Sequence, residues 1–277
     1  MLAVKRQHCM GLRPCPGYSP CSPVLRNAVT PSSTRRLRRG VIVTAVISAI
    51  VCGLVGLAGY FSRDPYELYT AKGRALPIAA VNFSGDMGVR FLLGASTMRG
   101  LTEHSVTTMA VVTPALFRHR RTRAEIDTIV ADGVRTALNR TGAKRIVVIG
   151  QSYGADIVQT GLANLPSDLR ARVAAIILIL PGETVFFRAD PSSIEYHGTP
   201  DAFGTETAQT LTWAPLTCIY GVEEDDSLCP HLRVPGARIV GMPGGHNIRH
   251  DEVGLLRHVL HAIARVTPAP LRGRLTA

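Results

Sequence analysis

One stretch restricts what this chain can fold into more than any other: Arg145-Ile146-Val147-Val148-Ile149-Gly150-Gln151-Ser152-Tyr153-Gly154-Ala155-Asp156. The β-branched run 145–149 reads as a strand buried on both faces. Residues 155–165 carry apolar side chains at helical spacing. Strand, Gly-x-Ser-x-Gly and helix in that order describe a turn that lifts a serine above the end of a sheet. Backbone must pass close on both sides of such a turn, so Gly150 and Gly154 have no room for a Cβ.

The flanking segments predict the rest of the sheet. Apolar runs at 76–83, 105–113, 173–180, 215–220 and 237–242 read as strands. Helical periodicity predicts helices at 89–99, 123–141 and 253–264. Strands alternating with helices of this length specify an α/β fold, a mostly parallel sheet covered by helices on both faces. Residues 183–210 are rich in turn formers and long enough to form a lid over a site.

Charge is distributed unevenly. Residues 1–40 hold eight of the 31 Lys and Arg residues and no acid, leaving 23 basic against 20 acidic side chains in the remainder. The high net charge therefore belongs to the tail, and nucleic acid is not an expected partner. Val41–Phe61 is an uncharged apolar run of 21 residues, enough to cross about 30 Å of hydrocarbon as one transmembrane helix. Arg35, Arg36, Arg38 and Arg39 precede it, while Asp64 and Glu67 follow. The positive-inside rule then predicts a membrane protein with a disordered cytoplasmic tail (1–40), an anchor (41–61), a linker (62–75), an extracytoplasmic domain (76–267) and a short C-terminal tail (268–277). A cleaved signal peptide with its site at Gly56-Leu57-Ala58 is the rival reading. Cys218 and Cys229 are the cysteines of the exported part. They bracket a loop of ten residues and are expected to form a disulfide. Cys9, Cys15 and Cys21 match no zinc spacing.

In a sheet of this kind, chemistry collects at the carboxyl ends of strands. Ser152 is the expected nucleophile. His246, in Pro243-Gly244-Gly245-His246-Asn247 directly after the last strand, is the expected base. A carboxylate must orient the imidazole, and chain order places it in Gly221–Pro230. Counting back from Pro230 favours Asp226; counting forward from Gly221 favours Glu224. We take Asp226 as the acid, with Asp225 and Glu224 as alternatives. Backbone N–H groups of Tyr153 and of Gly85 or Asp86 are the expected oxyanion donors.

Ser84-Gly85-Asp86 after the first strand, Gly-Gln-Ser-Tyr-Gly-Ala-Asp at 150–156, Cys-Ile-Tyr-Gly with its acidic loop and second Cys at 218–229, and Pro-Gly-Gly-His at 243–246 together resemble the VirJ/AcvB family of bacterial virulence-associated α/β-hydrolases. The resemblance covers about residues 76–266. It implies an exported serine esterase of the α/β-hydrolase fold acting on lysyl-phosphatidylglycerol, an aminoacylated membrane lipid, with no metal or organic cofactor. It also implies a triad of Ser152, an acid within 223–226, and His246. Two positions depart from the family pattern: Met87 where a further Gly is usual, and Asn247 where a second His is usual. The chain's own residues point to a cationic substrate as well. Between 183 and 226 lie nine acids against one basic residue, Arg188. Asp86, Glu224 and Asp225 are the expected substrate-binding acids, and Asp156 is a further candidate.

Overall fold

The computed structural model describes residues 31–276. The first helix, α1 (Pro31–Leu57), is followed by β1 (Tyr66–Tyr69), β2 (Ile78–Phe83), α2 (Leu92–Glu103), β3 (Thr108–Val111), α3 (Thr113–Phe117), α4 (Arg123–Thr141) and β4 (Arg145–Gln151). Then come α5 (Tyr153–Leu162), α6 (Ser167–Arg170), β5 (Val173–Ile179), β6 (Thr184–Val185), β7 (Ala202–Phe203) and α7 (Gly204–Ala208). The chain finishes with β8 (Leu216–Gly221), β9 (Arg238–Met242), α8 (Glu252–Val266) and α9 (Gly273–Thr276). Seven strands make one sheet in the order β1-β3-β2-β4-β5-β8-β9, parallel except for the antiparallel edge strand β1.

The unbroken apolar runs of the central strands follow from burial on two faces. Ile146 and Val148 of β4 face one core layer, with Ile126, Val130 and Val134 of α4 and Ile157 and Val158 of α5. Val147 and Ile149 face the other, with Leu255, Val259 and Ile263 of α8. Helix α4 has strong ends: Thr122 and Glu125 form a reciprocal capping box, and Gly142 closes it in the left-handed conformation at φ 67°.

At the N-terminus the structure departs from the sequence reading. Residues 1–30 of the expected tail lie outside the described residues, but residues 31–40 are helical and continue into the apolar run. Arg35–Leu57 is long and apolar enough to cross a membrane, and its side chains are exposed as far as Leu54. The helix stops at Leu57, however, and Ala58, Gly59 and Tyr60 are buried in the fold. Ala58 and Tyr60 belong to the same core layer as Phe83 and Tyr153. The last residues of the expected anchor therefore pack as domain core. Likewise Tyr66–Tyr69 of the expected linker pair with β3, and Leu275 of the expected C-terminal tail is buried beside α8. Apolar side chains in short segments carry no periodicity, which is why their burial was invisible in the sequence.

Cys218 at β8 and Cys229 after the acidic loop form a disulfide, with Cα atoms 5.6 Å apart. The bridge closes both ends of the loop that carries Glu224 and Asp226. Closing a loop of this length stabilises the folded state by about 3 kcal/mol through the unfolded chain's lost entropy. A Cys218→Ala/Cys229→Ala double variant should lose about that much in a denaturant titration, and a loss below about 0.5 kcal/mol would show the bridge has no structural effect.

Candidate active site

Ser152 sits between β4 and α5 with φ 51° and ψ −128°, a conformation few L-residues adopt. Its backbone N–H donates to the Ile179 carbonyl at 2.7 Å, tying the turn to β5. A Cβ on Gly150 would come within 2.5 Å of the Ala155 Cα and 2.7 Å of the Gly154 carbonyl oxygen. One on Gly154 would run into the Phe83 and Ser84 carbonyls at the end of β2. The two glycines are thus required by close backbone approach, as the motif implied.

Ser152 Oγ lies 2.8 Å from His246 Nε2. His246 Nδ1 lies 2.5 Å from Glu224 Oε1. The expected acid is corrected here: Asp226 does not meet the imidazole. Its Oδ1 accepts the Thr184 N–H at 3.1 Å and its Oδ2 accepts the Thr184 hydroxyl at 2.5 Å, so it holds the start of the lid. Backbone pairing decides between the two acids. Val222 N–H donates to the Met242 carbonyl and Glu223 N–H to the Gly244 carbonyl, each at 2.9 Å, while Glu224 N–H turns back to Gly221 at 3.1 Å. This zipper between the β8 and β9 loops leaves Glu224 facing His246. Gly221 permits it, because a Cβ there would collide with the Gly244 and Gly245 carbonyls. Asp225 is exposed and does not line the cavity beside Ser152.

The loop after β2 lies against the nucleophile: a Cβ on Gly85 would be 3.5 Å from the Ser152 Cβ. Thr113 pins the loop, donating its hydroxyl to the Ser84 carbonyl at 2.7 Å. Gly88 takes the left-handed position at φ 72°, whereas Met87 does not, so the side chain that departs from the family pattern is accommodated without strain. Tyr153 is the first residue of α5, and its N–H has no carbonyl one helical turn earlier to pair with. Both sequence-predicted sources of oxyanion donors therefore flank Ser152.

A cavity of about 340 Å³ opens beside the Ser–His pair. Asp86, Asp156, Glu224 and Asp226 line it, with no Lys or Arg. Sequence reasoning placed the acidic rim across residues 183–226, and three of those nine acids are held in ion pairs with arginine. Arg120 binds Asp201 and Glu195, Arg188 also reaches Glu195, and Glu223 holds Arg249 at 2.5 Å. The lid's main contribution was missed: Tyr196 donates its hydroxyl to Asp86 Oδ2 at 3.1 Å and stacks on Tyr153 at 6.3 Å between ring centroids. A single Tyr in an irregular segment carries no sequence signal for that role.

Burial pushes the Asp156 carboxyl well up, opposed by the Gly182 N–H it accepts at 2.8 Å and reinforced by the charges of Asp226, Glu224 and Asp86. Burial also raises Asp86, against the hydrogen bond from Tyr196 and the nearby His246. Burial alone would lower His246, but the hydrogen bond and charge of Glu224, with Asp86, outweigh it and leave the imidazole pKa raised. The protonated ring thus persists to higher pH than an ordinary histidine, and the neutral base forms only above that raised value.

Removing the carboxylate should reverse this. By NMR, Glu224→Gln should shift the His246 titration to lower pH, while Asp226→Asn should leave it nearly in place. A shift in Asp226→Asn and none in Glu224→Gln would contradict the assignment of the imidazole's partner.

A family model described as bacterial virulence protein (VirJ) matches residues 77–267. No curated protein matches the chain in sequence. Among solved structures, the acylaminoacyl peptidase of Pyrococcus horikoshii is 17% identical with a TM-score of 0.51, over 74% of this chain and 40% of that one. The enol-lactonase of Burkholderia xenovorans LB400 is 12% identical with a TM-score of 0.50, over 72% of this chain and 95% of that one. At such identities the likeness concerns the fold alone. The family match spans well over half of the sequence, and the chain belongs to the VirJ family of bacterial virulence proteins, built on the α/β-hydrolase fold.

Proposed function

We propose that this protein is a membrane-anchored, extracytoplasmic serine esterase that cleaves the aminoacyl ester of lysyl-phosphatidylglycerol or a related aminoacylated lipid. One observation carries the reading: a serine–histidine–glutamate line opens on a cavity whose charged lining is acidic. Ser152 Oγ attacks the ester carbonyl while His246 Nε2 takes its proton, and Glu224 stabilises the imidazolium. Backbone N–H groups of Tyr153 and of Gly85 or Asp86 hold the oxyanion. His246 returns the proton to the departing lipid alcohol. Water, deprotonated by His246, then attacks the lysyl ester on Ser152 and releases lysine.

The cavity supports an acyl group bearing ammonium charge. Buried carboxylates without a cation are costly, and Asp86 and Asp156 respond by holding their protons more tightly. An ammonium beside them favours the ionised form and makes charge-assisted hydrogen bonds. Helix α1 serves as the anchor in this reading, which confines the enzyme to the surface where such esters sit. The basic residues before it support an orientation with the domain outside the cytoplasm.

The test uses the full chain in detergent, because Ala58 and Tyr60 belong to the core. Wild type and Ser152→Ala would be given lysyl-phosphatidylglycerol, its alanyl counterpart and a neutral short-chain ester. Lysine release by wild type only is expected; preference for the neutral ester would replace this reading with a general esterase, and no turnover of any of them would leave a non-catalytic protein. Asp156→Asn keeps the acceptor for Gly182 but removes the charge. It should lower the preference for the lysyl over the neutral ester about 10- to 100-fold, in line with about 1.5–3 kcal/mol for a charged hydrogen bond. An unchanged preference would remove Asp156 from substrate recognition.

A further inference from the structure

A second cavity, of about 200 Å³, is also lined by the reacting pair. It shares Ser152, His246, Leu180 and Asp86 with the acidic cavity, but the rest of its wall adds no carboxylate: Met87, Phe91 and Leu93 supply an apolar side, beside glycines and the uncharged polar groups of Gln151 and Asn247, with His250. An ester attacked by Ser152 has two halves, the acyl group that stays on Oγ and the alcohol that departs past His246 Nε2. Two cavities meeting at these two atoms provide one space for each. Resting on the esterase reading above, we propose that the apolar cavity takes the alcohol half of the substrate, leaving the acidic cavity to the acyl half, and that its mouth at Met87 is where a membrane lipid enters.

Chemistry fixes the direction. An ammonium-bearing acyl group in the apolar cavity would meet Asp86 as its one carboxylate, whereas the acidic cavity offers three further carboxylates. During acylation the Oγ–carbonyl bond forms and the ester C–O bond breaks. The proton taken by His246 passes to the alcohol oxygen, and the leaving group departs as a hydroxyl, its phosphodiester charge unchanged where the alcohol is phosphatidylglycerol. Water then completes hydrolysis.

The second observation is where the apolar wall lies in the molecule. Gly88, next to Met87, packs directly on the Ala58 carbonyl and has no room for a Cβ. Ala58 is the residue after the last of α1. Phe91 packs on the layer that contains Ala58 and Tyr60, as does Val55 of α1. Leu57, Phe61 and Met87 all remain exposed. The wall of the apolar cavity is therefore continuous with the end of the apolar helix.

The test varies the alcohol at constant acyl group. Lysyl and acetyl esters of methanol, butanol and hexanol would be given to full-length wild type, Met87→Asp and Met87→Leu. In wild type, kcat/KM should rise with alcohol length, up to about 4-fold per fully buried methylene. Met87→Asp should flatten that dependence and Met87→Leu should keep it. A flat wild-type profile, an equal loss by Met87→Asp at every length, or retention of the slope in Met87→Asp would overturn the proposal. Preference for acetyl over lysyl esters with the slope intact would overturn the aminoacyl reading but leave the alcohol cavity standing. No turnover in either series would overturn both.

Discussion

The strained backbone at Ser152 is the constraint on which the structure depends. A serine at φ 51° costs about 1–3 kcal/mol and persists only where its surroundings leave no alternative. Here the surroundings are the buried strands β4 and β5, the Ile179 carbonyl that holds the Ser152 N–H, and two glycines against which other backbone packs. Gly154 rests on the carbonyls that end β2, so the nucleophile turn and the loop carrying Gly85 are located by a single contact. Gly221 does the same for the β8 and β9 loops, resting on the Gly244 and Gly245 carbonyls. Four strand ends are thereby brought to one point, and the histidine and glutamate arrive as a consequence of how the sheet is closed.

Much of this was legible because it is periodic or punctuated. Helix α4 begins and ends at the residues its periodicity marks, and the central strands fall on the β-branched runs. The Ser152 position followed from glycines that close backbone approach explains, and the His246 position from two glycines that let its loop fold back. The acid was not legible in the same way. Glu224 and Asp226 both lie after β8, and the choice rests on hydrogen bonds from Val222 and Glu223 to the β9 loop, which no count along the chain reveals. The same limit hid Tyr196, whose role depends on a lid folding back across more than a hundred residues to Asp86. It also hid Ala58 and Tyr60, which read as membrane residues yet serve as core.

That last difference alters how the N-terminal helix relates to the chemistry. A flexible tether would allow the domain to sample any orientation at a surface. A helix followed directly by Ala58, which is buried against Gly88, makes the loop beside the nucleophile part of the same packed unit as residues 48–60. An acidic cavity and a more apolar one, both lined by Ser152, then suit the two halves of the ester we propose as substrate.

Rapid quenching of the full-length protein during turnover of a lysyl ester, followed by digestion and mass spectrometry, tests the central claim most directly. Transfer of the lysyl group to the peptide containing Ser152, at a rate that accounts for lysine release, is the predicted result. Lysine released without any lysyl group passing through that peptide, or a lysyl group found on another residue at the competent rate, would contradict it.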